Sequence, residues 1–291
     1  MEASSWYVTL DELKKHTPSR EDGMDYATEC AERQKQCMAI LHLGAKLNVP
    51  TLAKATAVLF FHRFFLRRSF KKHDAWLVAV TCLFLATKVE ESSKKLRNVV
   101  DMAFEQRYPG EARDDSKLFQ LKEQILIHER KVLQTLAFDL TVVHPYKDLM
   151  PMASDIHASR ELAQSAWSFI NDSLSMTLCL RYQPREVAAA AIYLSALHQK
   201  VNLDEKLEGK SWIDIVGVPL KTLEMISNEI LDMYARHGGT VVAQGSAGAS
   251  SSTSTASRPQ PARSQPPQRQ QTAGAHGAQK HSSRTARPAP Y

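Results

Sequence analysis

The sequence predicts an all-helical protein: two similar helical bundles in tandem, followed by a basic tail with no core. Three observations carry this. Sustained period-2 alternation, the mark of a half-buried strand, is missing throughout. Apolar and amphipathic stretches follow one another between helix caps and Pro/Gly breaks. Near His237-Gly238-Gly239 the composition turns to Ser, Thr, Ala, Gln, Pro, Gly and Arg, which cannot bury enough apolar area to offset chain entropy.

The helices can be placed in order. Thr9-Leu10-Asp11-Glu12 has the form of a capping box and opens a short helix that ends before Pro18. A long helix is expected from Asp25 to Lys46, stopped by Asn48-Val49-Pro50. The next runs from Thr51 to Arg67. Asp74 can cap an apolar helix through Trp76–Lys88. Lys94–Gln106 follows, closed by Tyr108-Pro109-Gly110, and then Lys117–Leu136. The last helix is expected at Leu220–Arg236.

The second half repeats the first. Shifted by about 110 residues, Leu52, Ala53 and Phe60 fall on Leu162, Ala163 and Ile170. Val78, Ala79, Leu83, Phe84 and Leu85 fall likewise on Val187, Ala188, Ile192, Tyr193 and Leu194. In each copy an amphipathic helix precedes one that is apolar all round. Such a helix has to be surrounded by others.

Composition narrows the function classes. The 291 residues are 43% hydrophobic, enough for a sizeable core. The longest apolar runs, Trp76–Ala86 and Val187–Leu197, fall well short of the roughly 20 residues that cross a bilayer. The start of the chain carries no basic-then-apolar leader pattern, so an intracellular protein is expected. Cys30, Cys37, Cys82 and Cys179 form no Cys-x-x-Cys pair, which leaves zinc-ribbon and thiol-redox readings unsupported. The net charge of +6 is that of six basic residues beyond Thr240. The remainder holds 31 basic and 31 acidic residues, unlike a domain that grips phosphates. Gly-rich phosphate loops, Gly-x-Ser-x-Gly and His-Glu-x-x-His are all missing.

Two charges stand out of place. On a helical wheel Leu118, Leu121, Ile125, Val132 and Leu136 make one stripe, and Glu129 is expected in the middle of it. Lys88 ends the most apolar helix, where the repeat has Leu197, and Glu129 aligns with Ser227. A carboxylate on a buried face needs a cation, so the two are expected to pair. Periodicity leaves two roles open: an internal ion pair that fixes packing, or a Lys whose spare donors meet a partner.

Lys88-Val89-Glu90-Glu91, then Glu129, then Leu136-Ala137-Phe138-Asp139-Leu140 resemble the cyclin box. The chain is similar in particular to the transcriptional cyclins of the T and K type. The likeness lies in Trp6-Tyr7, Thr17-Pro18-Ser19-Arg20, Phe61-His62-Arg63-Phe64, Ser69-Phe70 and His144-Pro145-Tyr146, and in Ala166–Leu174, which is nearest to the K type.

This resemblance implies two five-helix cyclin folds: an N-terminal segment at 1–24, a first box at 25–143, a second fold at 144–237 and a disordered tail at 238–291. It implies a regulatory subunit rather than an enzyme, in the nucleus and without cofactor, metal or small-molecule substrate. The implied partner is a cyclin-dependent kinase that phosphorylates the RNA polymerase II tail. The polymerase tail or RNA-linked regulators are further candidate partners. Lys88 and Glu129 would anchor the kinase, with Val89, Glu90, Glu91, Leu133, Phe138 and Leu140 around them. The other reading in the same fold is a DNA-bound scaffold like general transcription factor IIB, whose relatives carry the zinc ribbon this sequence lacks.

Arg63, Arg67, Arg68, Lys71 and Lys72, with His73, form a basic cluster among aromatics. It is open to two readings: a face for RNA, acidic protein or phosphorylated kinase residues, or a solvated surface with its aromatics turned inward. One departure from the family is clear. Cys37-Met38-Ala39-Ile40-Leu41 looks like the Met-Arg-Ala-Ile-Leu groove of cell-cycle cyclins but is out of register when aligned on Gly44. Met38, Ile40 and Leu41 are therefore expected in the core. Titration with an Arg-x-Leu peptide should give no binding heat; measurable affinity would contradict this.

Overall fold

The computed structural model of the chain describes residues 6–206 and 211–236. The expected disordered tail lies outside the described residues. Two short helices, α1 (Leu10–Lys15) and α2 (Pro18–Glu21), lead in. The first bundle is α3 (Tyr26–Lys46), α4 (Thr51–Arg67), α5 (Ala75–Val89), α6 (Leu96–Arg107) and α7 (Asp115–Thr135). The second is α8 (Tyr146–Asp155), α9 (Arg160–Ser173), α10 (Pro184–Gln199), α11 (Trp212–Val216) and α12 (Leu220–Arg236). Among the described residues there is no strand.

The helix starts follow from local chemistry. Thr9 and Glu12 close a reciprocal capping box on α1. Asp25 and Asp74 accept from the backbone N–H groups of Thr28 and Leu77, capping α3 and α5. Pro18 and Pro184 occupy first-turn positions, where the missing N–H costs nothing. Gly44 lets α3 and α4 approach: a Cβ there would stand 2.7 Å from Lys54 Cγ.

The two apolar helices are the bundle centres. α5 is buried along nearly its whole length and packs against α3, α4, α6 and α7. α10 packs against α8, α9 and α12. α4 and α5 start 109 residues before α9 and α10 respectively, at Thr51 and Ala75 against Arg160 and Pro184, so the sequence repeat is a repeat of structure. Phe60, Phe61, Phe64 and Phe65 fill the first core from α4, and Phe70 stacks on Phe65 with centroids 3.7 Å apart. The aromatics of the basic cluster thus point inward.

The bundles meet along a polar seam. Ala55 of α4 packs into the second core, and Leu180, before α10, into the first. His62 Nε2 lies 3.1 Å from the carbonyl of Leu174, and the Val8 N–H donates to Leu180 O at 2.8 Å. Burial, then nearby Arg33, pushes His62 down to about 3. It is therefore neutral, with its proton on Nε2 toward Leu174 and Nδ1 facing Arg33 Nη1.

Arg33 is fully buried. Its Nε donates to Glu29 Oε1 at 2.8 Å, and its Nη2 to Phe65 O at 2.9 Å. Glu29 also pairs with Arg20 and accepts from Thr17 Oγ1 at 3.1 Å. The Thr17-Pro18-Ser19-Arg20 segment is thus pinned to α3 by a buried Arg–Glu–Arg triad. The Met38 expectation fails: its side chain is 42% exposed, because α3 turns that position away from α4 and α5. Ile40 is buried and Leu41 half-buried.

Breaking a buried ion pair from one side strands the other charge, at about 3–5 kcal/mol. Arg33→Ala should lower unfolding free energy by that amount in urea titration; a change below about 1 kcal/mol would mean the triad is dispensable.

Candidate functional site

Two helix ends build the site. The last turn of α5 carries Lys88 and Val89, with Glu90 as its cap. α7 carries Glu129 and Leu133, and the turn after it carries Phe138 and Leu140. Lys88 Nζ pairs with Glu129 Oε1 and lies 4.3 Å from the centroid of the Phe84 ring. The Lys88 side chain is 41% exposed and that of Glu129 14%. The expected pairing is therefore present, but Glu129 does not sit mid-stripe. It lies about 50° off the line through Ile125 and Val132 at about 100° per residue, at the rim where α5 ends. This explains how a carboxylate is tolerated on that helix.

The remaining predicted residues divide. Val89, Leu133 and Leu140 are half-buried against the first core. Phe138 projects, 66% exposed, and Glu91 is exposed in a left-handed conformation. Glu90 turns inward: its Oε1 accepts from Thr56 Oγ1 at 2.7 Å. Thr56 Oγ1 is also 2.7 Å from His144 Nε2. A hydroxyl has one proton, and here it goes to the carboxylate, so His144 donates from Nε2. This relay, His144 to Thr56 to Glu90, crosses the seam. Sequence reasoning missed it because its members lie 34 and 88 positions apart.

The basic cluster is dispersed. Arg63 and Arg67 lie over the Trp6 ring at 5.1 and 5.4 Å. Arg68 donates to Thr135 Oγ1, Lys71 to Gly23 O, and Lys72 pairs with Asp22. The second bundle offers no counterpart to the ion pair. Leu197 is 54% exposed where α5 has Lys88, and Ser227 is buried on Ala190 O. The Ala166–Leu174 run serves the fold. Asn171 Oδ1 accepts from Tyr146 OH and Asp172 Oδ2 from Tyr234 OH, both at 2.6 Å. Among the described residues no His/Cys/Asp/Glu group could hold a metal, and no helix is long and apolar enough to cross a membrane.

The described residues form two tandem five-helix bundles, with a half-exposed Lys88–Glu129 pair at the end of the first central helix. Comparison with known proteins makes this specific. Residues 5–141 match the family model for the cyclin N-terminal domain, and residues 144–233 that for the cyclin-T2-like C-terminal domain. The chain is 40% identical over 241 residues to cyclin-T1-3 of Oryza sativa subsp. japonica, covering 80% of this chain and 49% of that protein. It is 35% identical over 243 residues to human cyclin-K, covering 79% and 41%. The chain spans about half the length of the curated relatives it matches. A solved structure of the yeast RNA Pol II CTD kinase CTDK-1 complex shares the fold at 19% identity and a TM-score of 0.65, over 78% of this chain and 72% of that one. The chain belongs to the cyclin family, among its T and K types.

The relay gives the site a pH dependence. Burial, then Arg63, pushes His144 down to about 4 from its ordinary 6.5. The unfolded chain takes up that proton near 6.5 and the folded chain does not. Stability from this site is therefore complete above 6.5 and is lost as pH falls toward 4. In thermal melts, any stability advantage of wild type over His144→Gln should shrink across that window. An unchanging difference would show that His144 does not titrate there.

Proposed function

We propose that this chain is the regulatory subunit of a cyclin-dependent kinase that phosphorylates the RNA polymerase II tail in the nucleus. The contact face is Lys88, Val89, Glu91, Glu129, Leu133, Phe138 and Leu140, on the box at 25–143, with the fold at 144–237 behind it. Glu90 supports this face from within, through Thr56. The carrying observation is a fixed but half-exposed lysine at the end of α5, with Phe138 projecting from the turn after α7, the helix that supplies the lysine's partner Glu129. One ammonium donor meets Glu129, and the others are available to backbone carbonyls of a partner helix.

The mechanism is a population shift. A kinase needs its strand lysine paired with the C-helix glutamate before it can orient ATP. A rigid surface that binds the inward-helix state better moves the equilibrium toward it. Going from 1:99 to 99:1 takes about 5.5 kcal/mol of differential binding. Burying the exposed part of Phe138 supplies about 1–2 kcal/mol of gross contact energy. The charged anchor and its flanking apolar residues therefore have to carry more than half.

The DNA-scaffold reading has less support: the basic cluster keeps Arg67, Arg68, Lys71 and Lys72 exposed, but each already has a partner in Trp6, Thr135, Gly23 or Asp22.

Affinity purification of the full chain, followed by a kinase assay on polymerase-tail peptide, tests the proposal. Lys88→Glu should abolish activation while the chain stays folded, with a lowered melting temperature because Glu129 loses its cation. Normal activation by that variant would remove the assigned interface.

A further inference from the structure

Among the described residues, six non-glycine residues have positive φ: Asn48, Glu91, Ala137, Phe138, His157 and Lys200. Five share one explanation. Each is the left-handed residue just after a helix, and the next N–H returns to the carbonyl five positions back. These bonds are Val49 to Gly44, Ser92 to Thr87, Phe138 to Leu133, Ala158 to Ala153 and Val201 to Ala196, all at 2.8–2.9 Å. The helix-closing turn needs one left-handed residue. Phe138, at φ 59° directly after Ala137 at φ 51°, is a second. An aromatic residue is sterically disfavoured there, so something outside the helix end has to hold it.

The neighbouring side chain supplies the hold. Asp139 Oδ2 accepts from Trp6 Nε1 at 2.8 Å, across 133 positions of sequence. Trp6 is itself fixed. It is 6% exposed, lies under the guanidinium groups of Arg63 and Arg67, and is followed two residues on by the Val8–Leu180 backbone bond. A phenylalanine could fill the same space. It lacks the indole N–H that reaches Asp139, a carboxylate that also feels the Arg63 guanidinium, and a buried indole N–H needs an acceptor.

We propose that Trp6 is a positioning residue: through Asp139 it clamps the turn that presents the Phe138 ring. The presenting role rests on the reading of Phe138 as a kinase contact; the clamp itself does not. The N-terminal segment is then part of the contact face's support.

The test uses the full chain carrying Trp6→Phe, with Asp139→Ala removing the same bond from an exposed residue should the first variant fold poorly. Without a partner, amide hydrogen exchange at Asp139 and Leu140 should rise about tenfold, the scale of one hydrogen bond to a charged group, while α5 amides stay unchanged. Affinity for the kinase recovered with the wild-type chain should fall about tenfold. In a Phe138→Ala background, Trp6→Phe should cost almost nothing further. Unchanged exchange at 139–140 would overturn the clamp. A full affinity loss in the Phe138→Ala background would overturn positioning through Phe138. Faster exchange together with wild-type affinity of Phe138→Ala alone would uphold the clamp and sink the contact reading.

Discussion

A helix that is apolar on every side has to be enclosed, and the rest of the architecture answers that demand at α5. Four helices surround it, and its copy α10 imposes the same condition on the second bundle. Enclosure leaves only the ends of α5 in reach of solvent. One end is capped by Asp74 and the other carries Lys88. The contact face is thus placed by the core: it lies where the buried helix emerges. A charge there can be presented at little cost to folding, because its ammonium lies over the Phe84 ring and pairs with Glu129.

The polar groups inside the protein do a different job from those on the face. Arg33, Glu29 and Arg20 tie the lead-in segment to α3, while His62, Thr56 and His144 bridge the bundles. Each makes at least one bond to a named partner, as burial requires, though Arg20 Nε has none. They favour one arrangement of the two bundles over alternatives that apolar packing alone would tolerate. The Glu90 carboxylate, drawn into this network, couples the seam to the end of α5.

Much of this was legible in the sequence, and the boundary is physical. Caps at Thr9, Asp25 and Asp74, the breaks at Pro50 and Tyr108-Pro109-Gly110, and the repeat at 109–110 residues located α3, α4, α5 and α7 to within two residues. The Lys88–Glu129 pair was visible as two charges against an apolar pattern. Glu129's offset from the stripe follows from the wheel, but that α5 ends beside it does not, because a helical wheel locates a face but not the neighbour that covers it. Met38 failed for the same reason. The relay through Thr56 and the Trp6–Asp139 bond join residues far apart in the chain, and no local pattern encodes such meetings.

The second bundle repeats the wall of the first but not its rim. Leu197 lies in the open where α5 carries a lysine, and Ser227 is closed in where α7 carries a glutamate. A duplicated fold inherits two kinds of position: interior ones that neither copy can abandon, and boundary ones that only a partner can enforce. The two bundles therefore agree in their interiors and differ at their rims, where α5 ends in Lys88 and α10 presents an uncharged Leu197 to solvent.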